Sequence, residues 1–319
     1  MSEKTVHLSD CIKGFIFHCQ YEKNLSPKTI NAYSIDLEQF QSYVNEQNAN
    51  PDIDKISKDL IKGYLQTIYH FKPKTVKRKV ASLKAMFNYL EYENDAFLNP
   101  FRKMKVRFKE PKILPIVMTI GEVKKILGTL YEDMNGNAKT DTYAYKAQTR
   151  NIAIIELLFA TGMRISELCN LKSNNIDLKT GVVKIFGKGG KERIIQICNP
   201  DIKSLLKKYR KLYANHIEDD KCFFINRLGQ PTSTQSVRLM LRQYVEKSGI
   251  SKNITPHTFR HTFATLLLEE SVDIRYIQSM LGHSSINTTQ IYTHINTESQ
   301  KKILATKHPR RKLKFEVCE

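Results

Sequence analysis

Apolar and polar residues alternate through the first hundred positions with the period of amphipathic helices. Cys11 and Phe15 stand at the i, i+4 spacing that places two side chains on one helical face. Ser26 is followed by Pro27, and Ser57 precedes another amphipathic run, so both serines are predicted N-caps. A further helix has an inner face of Val76, Val80, Leu83, Phe87 and Leu90. These patterns predict a helical domain.

The helical period stops near residue 100. The dipeptide Asn99-Pro100 predicts the end of a helix, and the basic stretch after it has no regular period. The sequence therefore predicts a helical domain over 1–108, a linker over 109–117 and a second domain over 118–319.

The second domain has a mixed pattern. Thr119 and Glu122 form a predicted capping box, and a helix that is apolar on all sides should end at Gly162. The polar stretch 132–150 is predicted to be a surface excursion. Residues 175–197 alternate apolar and polar side chains around two turns, which predicts a small antiparallel sheet. The expected fold class is mainly α with a small antiparallel β-sheet.

The composition of the chain indicates what kind of molecule it binds. The 319 residues carry a formal net charge of +19, and a surplus of this size indicates nucleic acid before a membrane. The sequence has no apolar run of about 18 residues, which a transmembrane helix requires, and no apolar signal segment at its start. Six scattered cysteines without a CxxC pair are typical of reduced thiols. We therefore expect a cytoplasmic protein.

Several cations of the helical domain are candidate contacts to DNA phosphates. Two explanations of these cations are equally good. They can form a solvated helix face, or they can contact phosphates, which the net positive charge of the chain supports. The candidates are Lys28, Lys74, Lys77, Arg78 and Lys84.

A predicted helix start near the C-terminus carries the most distinctive chemistry. Thr255 is a natural N-cap and Pro256 fits the first helical position. His257 and Arg260 then share one face in the first turns, where free N–H groups and the helix dipole favour an anion. The alternative is a capped helix whose histidine and arginine pair with carboxylates.

His257 and His261 also have the spacing of two zinc ligands on a helix. The glutamate that accompanies such pairs is absent, and Arg260 would put a positive charge beside the metal. We therefore expect no metal.

Four further residues stand at predicted breaks or turns, or just beyond one. Arg164 follows the break at Gly162, and Lys188 lies at a glycine-rich hairpin tip, where an ordinary exposed lysine is the alternative. His283 follows a predicted helix end, and Tyr292 comes nine residues later.

Together these side chains supply every group for attack on a phosphodiester. A tyrosine can attack the phosphorus, two arginines can hold the non-bridging oxygens, and a lysine or histidine can protonate the leaving oxygen. No metal or other cofactor is needed. The set is Arg164, Lys188, His257, Arg260, His283 and Tyr292.

Five stretches resemble the tyrosine recombinases, or phage integrase family, and its compact Xer-like bacterial members most. They are ATGMRISELCNL, GKGGKER, TPHTFRHTFAT, LGHSSINTTQIYTHI and KHPR, in the family's order. The stretch LSPKTINAYSIDLEQF also resembles the start of the family's helical core-binding domain, so the resemblance covers nearly the whole chain.

The resemblance implies a role for each residue. Arg164 and Arg260 are implied as the phosphate clamp, Tyr292 as the nucleophile and Lys188 as the general acid. The remaining roles are proton transfer and phosphate binding for two histidines and support of the site for one acidic residue: His257, His283 and Glu167.

The family also implies the reaction and its partners. We expect a site-specific DNA recombinase that cleaves and rejoins DNA through a 3′-phosphotyrosine and exchanges strands through a Holliday junction. The partners would be double-stranded DNA with an inverted-repeat core site and three further copies of the chain, on two DNA sites, with DNA-bending accessory proteins considered as well. Integration and excision, inversion and resolution all use this architecture.

Two departures and two alternatives accompany this expectation. The stretch near 132–150 and the C-terminal tail look longer than in the compact relatives. A type IB topoisomerase shares the tyrosine chemistry but lacks the spacing between His283 and Tyr292. A basic helical DNA-binding regulator would make the motifs accidental.

Overall fold

The computed structural model describes residues 6–47, 52–102, 104, 106, 114–136, 142–187, 192–217, 221–282 and 297–315. The chain divides into two compact units, Met1–Ile113 and Leu114–Glu319, each with its own hydrophobic core. In the described part, no helix is long and apolar enough to cross a membrane.

The first unit is helical, as predicted. Its helices are α1 (Leu8–Phe17), α2 (Pro27–Glu46), α3 (Lys58–Thr67) and α4 (Pro73–Glu93), and a π-helical turn continues α1 over His18–Glu22. Both predicted serine caps are confirmed, because Ser26 Oγ accepts from Thr29 N at 3.3 Å and Ser57 Oγ from Leu60 N at 3.2 Å.

The end of α4 differs from the prediction. The helix ends at Glu93, because Asn94 adopts an extended backbone and its side chain accepts the N–H of Ala96. The proline at position 100 therefore lies in a later turn and does not end the helix.

The second unit contains the remaining elements. They are α5 (Ile120–Asn135), α6 (Tyr143–Thr161), α7 (Ile165–Cys169), β1 (Ile176–Asp177), β2 (Val182–Phe186), β3 (Glu192–Gln196), α8 (Pro200–Leu212), α9 (Thr234–Lys247), α10 (Pro256–Glu269), α11 (Ile274–Leu281) and α12 (Thr297–Lys307). The strands form the predicted antiparallel sheet in the order β1-β2-β3, with Val183 opposite Ile195. The fold class is confirmed.

Helix α6 is the centre of this unit. It is buried on all sides from Ile152 to Thr161, as its continuous apolar run predicts, and packs against α5, α8 and α10. It ends at Gly162, whose φ of +60° is a left-handed conformation that glycine adopts without a Cβ clash.

The predicted surface excursion over 132–150 is wrong in extent. Helix α5 continues through Asn135 and α6 begins at Tyr143, so the connection covers 136–142. Met134 and Tyr145 are buried in the core, and their burial extends both helices into a sequence that looks polar. Thr142 caps α6 by accepting the N–H of Tyr145.

The C-terminal segment is part of the core. Arg310 is 1% exposed, and its Nε donates to Glu156 Oε2 at 2.8 Å. Tyr131 Oη donates to Glu156 Oε1 at 2.9 Å, and the ring of Phe315 stacks on Tyr131. Residues that look like a tail in sequence therefore close one side of the second unit.

Candidate active site

Glu167 holds Arg164 at the start of α7. Arg164 is the N-cap residue, and its backbone N–H donates to Glu167 Oε2 at 2.7 Å. Its Nη1 donates to Glu167 Oε1 at 2.9 Å. Glutamate at the third helical position is a favoured partner of the N-cap N–H, which explains the local geometry. The carboxylate is buried, whereas 37% of the Arg164 side chain is exposed and so accessible to a ligand.

Arg260 joins the ends of two helices. It lies on the first turns of α10, where Thr255 is the N-cap and Pro256 the first residue, as predicted. Its Nη1 donates to Gly162 O at 2.9 Å and its Nη2 to Leu281 O at 2.6 Å. Both of these partners are neutral carbonyls, so the guanidinium is held in place without losing its charge.

Positive charge is concentrated around Arg260. Burial and the neighbouring charges of Arg164 and Arg193 lower the pKa of Arg260 to about 10, so it stays protonated at neutral pH. Three arginines share the single buried carboxylate of Glu167, so the group keeps a net positive charge that an added anion would offset. The arrangement therefore favours binding of a phosphate.

His257 lies beside this group at the exposed start of α10. Burial of part of its ring, together with the charges of His261 and Arg260, lowers its pKa. Arg238 of α9 and Arg164 act in the same direction. The imidazole is therefore neutral at neutral pH and can accept a proton. Arg238 was not foreseen from the sequence.

Arg193 was also missed. It lies on β3, opposite Ile185 of β2, and its side chain is 10% exposed. Its Nη1 and Nη2 donate to the two oxygens of Glu167 at 2.9 and 2.7 Å. The alternation of the strand contains the signal, because Arg193 is two residues before buried Ile195 and so points inward. An inward arginine requires a carboxylate partner.

Three predicted residues lie outside the described part of the chain: Lys188, His283 and Tyr292. The elements around two of them are as predicted. β2 ends at Phe186 and β3 begins at Glu192, which places Lys188 in the connection between paired strands. The predicted helix end before His283 is confirmed, since α11 ends at Gly282 with a φ of +64°.

The structure thus brings together Arg164, Glu167, His257 and Arg260 from α7 and α10. Among the residues that it describes, no group of histidine, cysteine and carboxylate side chains could hold a metal ion.

The candidate DNA contacts of the first unit differ in environment. Lys28, Lys74 and Lys77 are exposed on α2 and α4. Arg78 is 45% exposed and donates to the buried carboxylate of Asp36.

The fifth candidate has a more enclosed setting. Lys84 Nζ lies over the ring of Phe101, 5.8 Å from its centre, so its stem is covered.

Comparison with known proteins identifies the family. The phage integrase family matches residues 124–299, and the phage integrase N-terminal SAM-like domain matches residues 12–94. A tyrosine recombinase of Agathobacter rectalis is 49% identical over 310 residues, which cover 97% of this chain and 99% of the relative. The chain belongs to the phage integrase family. It is a tyrosine recombinase, an enzyme of site-specific DNA recombination.

Two further relatives are also tyrosine recombinases. The tyrosine recombinase XerD of Staphylococcus aureus is 36% identical over 306 residues, which cover 94% of this chain and 98% of the relative. XerC of Thermodesulfovibrio yellowstonii is 35% identical over 308 residues, covering 93% and 96%. The regulator alternative is thereby excluded, and all three of these relatives are recombinases rather than topoisomerases.

Solved structures share the fold. The XerH recombinase bound to difH substrate has a TM-score of 0.68 at 22% identity and covers 94% of this chain and 90% of its own. A lambda integrase dimer bound to a COC′ core site has a TM-score of 0.66 at 18% identity and covers 91% and 100%.

Proposed function

We propose that this recombinase cleaves DNA with Tyr292 as nucleophile and with Arg164 and Arg260 as the clamp of the scissile phosphate. The observation that carries the proposal is the fixation of both arginines: Glu167 orients the first, and the carbonyls of Gly162 and Leu281 orient the second. Donors fixed in advance stabilise charge that develops in a transition state without a cost of reorganisation.

In the proposed cleavage step, the Tyr292 oxygen forms a bond to phosphorus and the bond from phosphorus to the 5′-oxygen breaks. The products are a 3′-phosphotyrosine and a free 5′-hydroxyl group. Lys188 supplies the proton of that hydroxyl, and the tyrosine proton passes to His257, which is neutral at neutral pH. His283 is assigned to phosphate binding.

Rejoining is the reverse step with a new partner. A 5′-hydroxyl from the other DNA site attacks the phosphotyrosine, so the ester bond is exchanged with no net hydrolysis and no nucleotide cofactor. Two rounds of exchange pass through a Holliday junction.

The proposed assembly of this protein on DNA rests on its similarity to solved structures. Solved relatives include a lambda integrase tetramer bound to a Holliday junction. We infer that four copies of this chain act on two inverted-repeat core sites, with Lys28, Lys74, Lys77, Arg78 and Lys84 on phosphates. Accessory DNA-bending proteins remain part of the proposal.

A nicked suicide substrate tests the nucleophile, because release of the short fragment that carries the 5′-hydroxyl group traps the covalent adduct. The wild type should form an adduct of protein and DNA that resists denaturation. Tyr292→Phe should form none while it binds the site with nearly unchanged affinity, because binding is spread over many phosphate contacts.

Tyr276→Phe is the matched control, since Tyr276 lies on α11 and is partly covered by the core. Adduct formation by the Tyr292→Phe protein would refute the assignment, and loss of the adduct in Tyr276→Phe alone would move the nucleophile to α11.

A further inference from the structure

Arg193 connects three elements that lead to the candidate catalytic residues. Its strand follows the connection that contains Lys188, its guanidinium grips Glu167 with two hydrogen bonds, and its Nε donates to Met280 O at 2.9 Å. Met280 belongs to the last turn of α11, three residues before His283.

The contact with α11 is close as well as polar. A Cβ on Gly282 would lie 3.0 Å from Cδ of Arg193, so this glycine lets the arginine side chain pass. Arg193 and Arg260 bind consecutive carbonyls, those of Met280 and Leu281, and cations at a helix C-terminus stabilise its dipole.

Glu167 accepts four hydrogen bonds, two from Arg193 and two from Arg164. Each carboxylate oxygen takes one bond from each arginine. Arg193 therefore holds both oxygens of the carboxylate to which Arg164 is bound.

We propose that Arg193 is a positioning residue for DNA cleavage, which orients Arg164 through Glu167 and fixes the end of α11 before His283. The inference rests on the proposed function, because it takes Arg164 as part of the phosphate clamp. Arg193 itself, at 10% exposure, has its donors on protein groups and need not touch DNA.

The electrostatics of Glu167 give a distinctive signature. Burial raises the pKa of Glu167, but the hydrogen bonds from Arg193 and from the Arg164 N–H outweigh it and hold the pKa at about 2. The charged groups that face it are Arg164 on α7, Arg193 on β3 and Arg260 on α10, while Arg238 of α9 lies near His257. Removal of Arg193 leaves burial less opposed, so Glu167 should take up a proton at a higher pH.

The experiment measures single-turnover adduct formation on saturating suicide substrate from about pH 5 to about pH 8, together with DNA affinity. Arg193→Gln should cleave about 10- to 100-fold more slowly, by analogy with the loss seen when a residue that orients a metal ligand is removed. Its rate should also fall toward acid pH relative to the wild type, because a protonated Glu167 releases Arg164. DNA affinity should change little.

Arg193→Lys separates charge from geometry. Lysine keeps the positive charge but cannot bridge both carboxylate oxygens and Met280 O. This variant should remain slow and lose the added acid sensitivity. Arg275→Gln is the matched control, because it removes the same charge from the start of α11, where Arg275 pairs with Asp273. It should cleave at the wild-type rate.

A double-mutant cycle tests whether Arg193 acts through Glu167. Glu167→Gln cannot titrate, so Arg193→Gln with Glu167→Gln should lack the acid sensitivity, and the two rate defects should not multiply. If Arg193→Gln does not fold, Arg193→Lys, judged by DNA affinity and rate, decides the same question.

Wild-type rate and pH profile in Arg193→Gln, or a defect only in DNA affinity, would overturn the inference. Absence of an adduct in the wild type would instead refute the proposed function.

Discussion

The guanidinium of Arg260 donates to the carbonyl oxygen of Gly162 across 98 residues of sequence, at 2.9 Å. The bond depends on the way α6 ends, because Gly162 leaves the helix in a left-handed conformation just before Arg164. A Cβ at this position would lie 2.7 Å from the ring of Phe263 and 2.9 Å from Leu281. The turn that leads from α6 to Arg164 is therefore both strained for residues other than glycine and closely packed.

Gly162→Ala should destabilise the second unit by at least about 1–3 kcal/mol, the cost of a left-handed non-glycine residue, with the clash in addition. Urea unfolding measures the effect. Gly128→Ala is the control, because Gly128 lies within α5 with nothing within 4 Å of an added Cβ. It should stabilise the protein by about 0.5–1 kcal/mol. Equal effects of the two variants would contradict the packing at Gly162.

Arg310→Met should be severely destabilising. It would leave Glu156, which is 0% exposed, without its cation, and loss of one partner of a buried pair costs about 3–5 kcal/mol. Glu156→Leu combined with Arg310→Met should recover much of this loss, because no unpaired charge remains. Lys312→Met removes a cation two residues from Arg310 but breaks only an exposed pair with Glu270, so it should leave stability nearly unchanged. Thermal unfolding compares the three, and a mild Arg310→Met would show that the pair is hydrated.

His308 should make stability depend on pH. Burial lowers the pKa of His308 to about 4, against an ordinary value of 6.5. Above pH 6.5 His308 is neutral in both the folded and the unfolded chain, so its ionisation does not change the free energy of unfolding. Between pH 6.5 and 4 His308 is protonated in the unfolded chain but stays neutral in the folded one. The free energy of unfolding therefore decreases as the pH is lowered through this interval. The loss should reach about 3 kcal/mol.

His308→Asn removes this titration and keeps an acceptor for the N–H of Arg310, which His308 Nδ1 accepts at 3.0 Å. Its stability should be flatter than that of the wild type over that interval in urea unfolding. The acid loss due to Glu167, whose pKa is about 2 against 4.5, belongs to lower pH and should persist in the variant. A His308→Asn protein with an unchanged pH profile would contradict the burial of a neutral imidazole.

Lys188→Ala tests the proposed role of Lys188 as general acid. The variant should cleave ordinary DNA about 10²–10⁴-fold more slowly, the usual contribution of a general acid. A substrate with a bridging 5′-sulfur has a good leaving group, so Lys188→Ala should regain much of its rate on it. Arg164→Ala should stay slow on both substrates, because the clamp is still required. Equal defects of Lys188→Ala on both would assign the lysine to DNA positioning.

The local elements of this chain followed from its sequence. Ser26, Ser57 and Thr255 are caps because each places a hydroxyl next to free N–H groups at the start of an apolar period. The glycines at the ends of α6 and α11 were equally predictable, because the left-handed conformation excludes most other residues. The lengths of the helices were harder to predict. Over 132–150 the sequence looks polar, but the buried side chains of Met134 and Tyr145 extend two helices into it.

The sequence by itself determined the helical period, the hairpin and the chemical types available for phosphate attack, because these depend on residues close together in the chain. Only the tertiary structure decided which residues are the hydrogen-bond partners of the buried arginines. Arg193 and Glu167 are 26 residues apart, and Arg310 and Glu156 are 154 apart. A buried arginine requires a partner, but which carboxylate or carbonyl meets it depends on how distant elements pack. The positions of such partners are set by the core, and no local pattern specifies them.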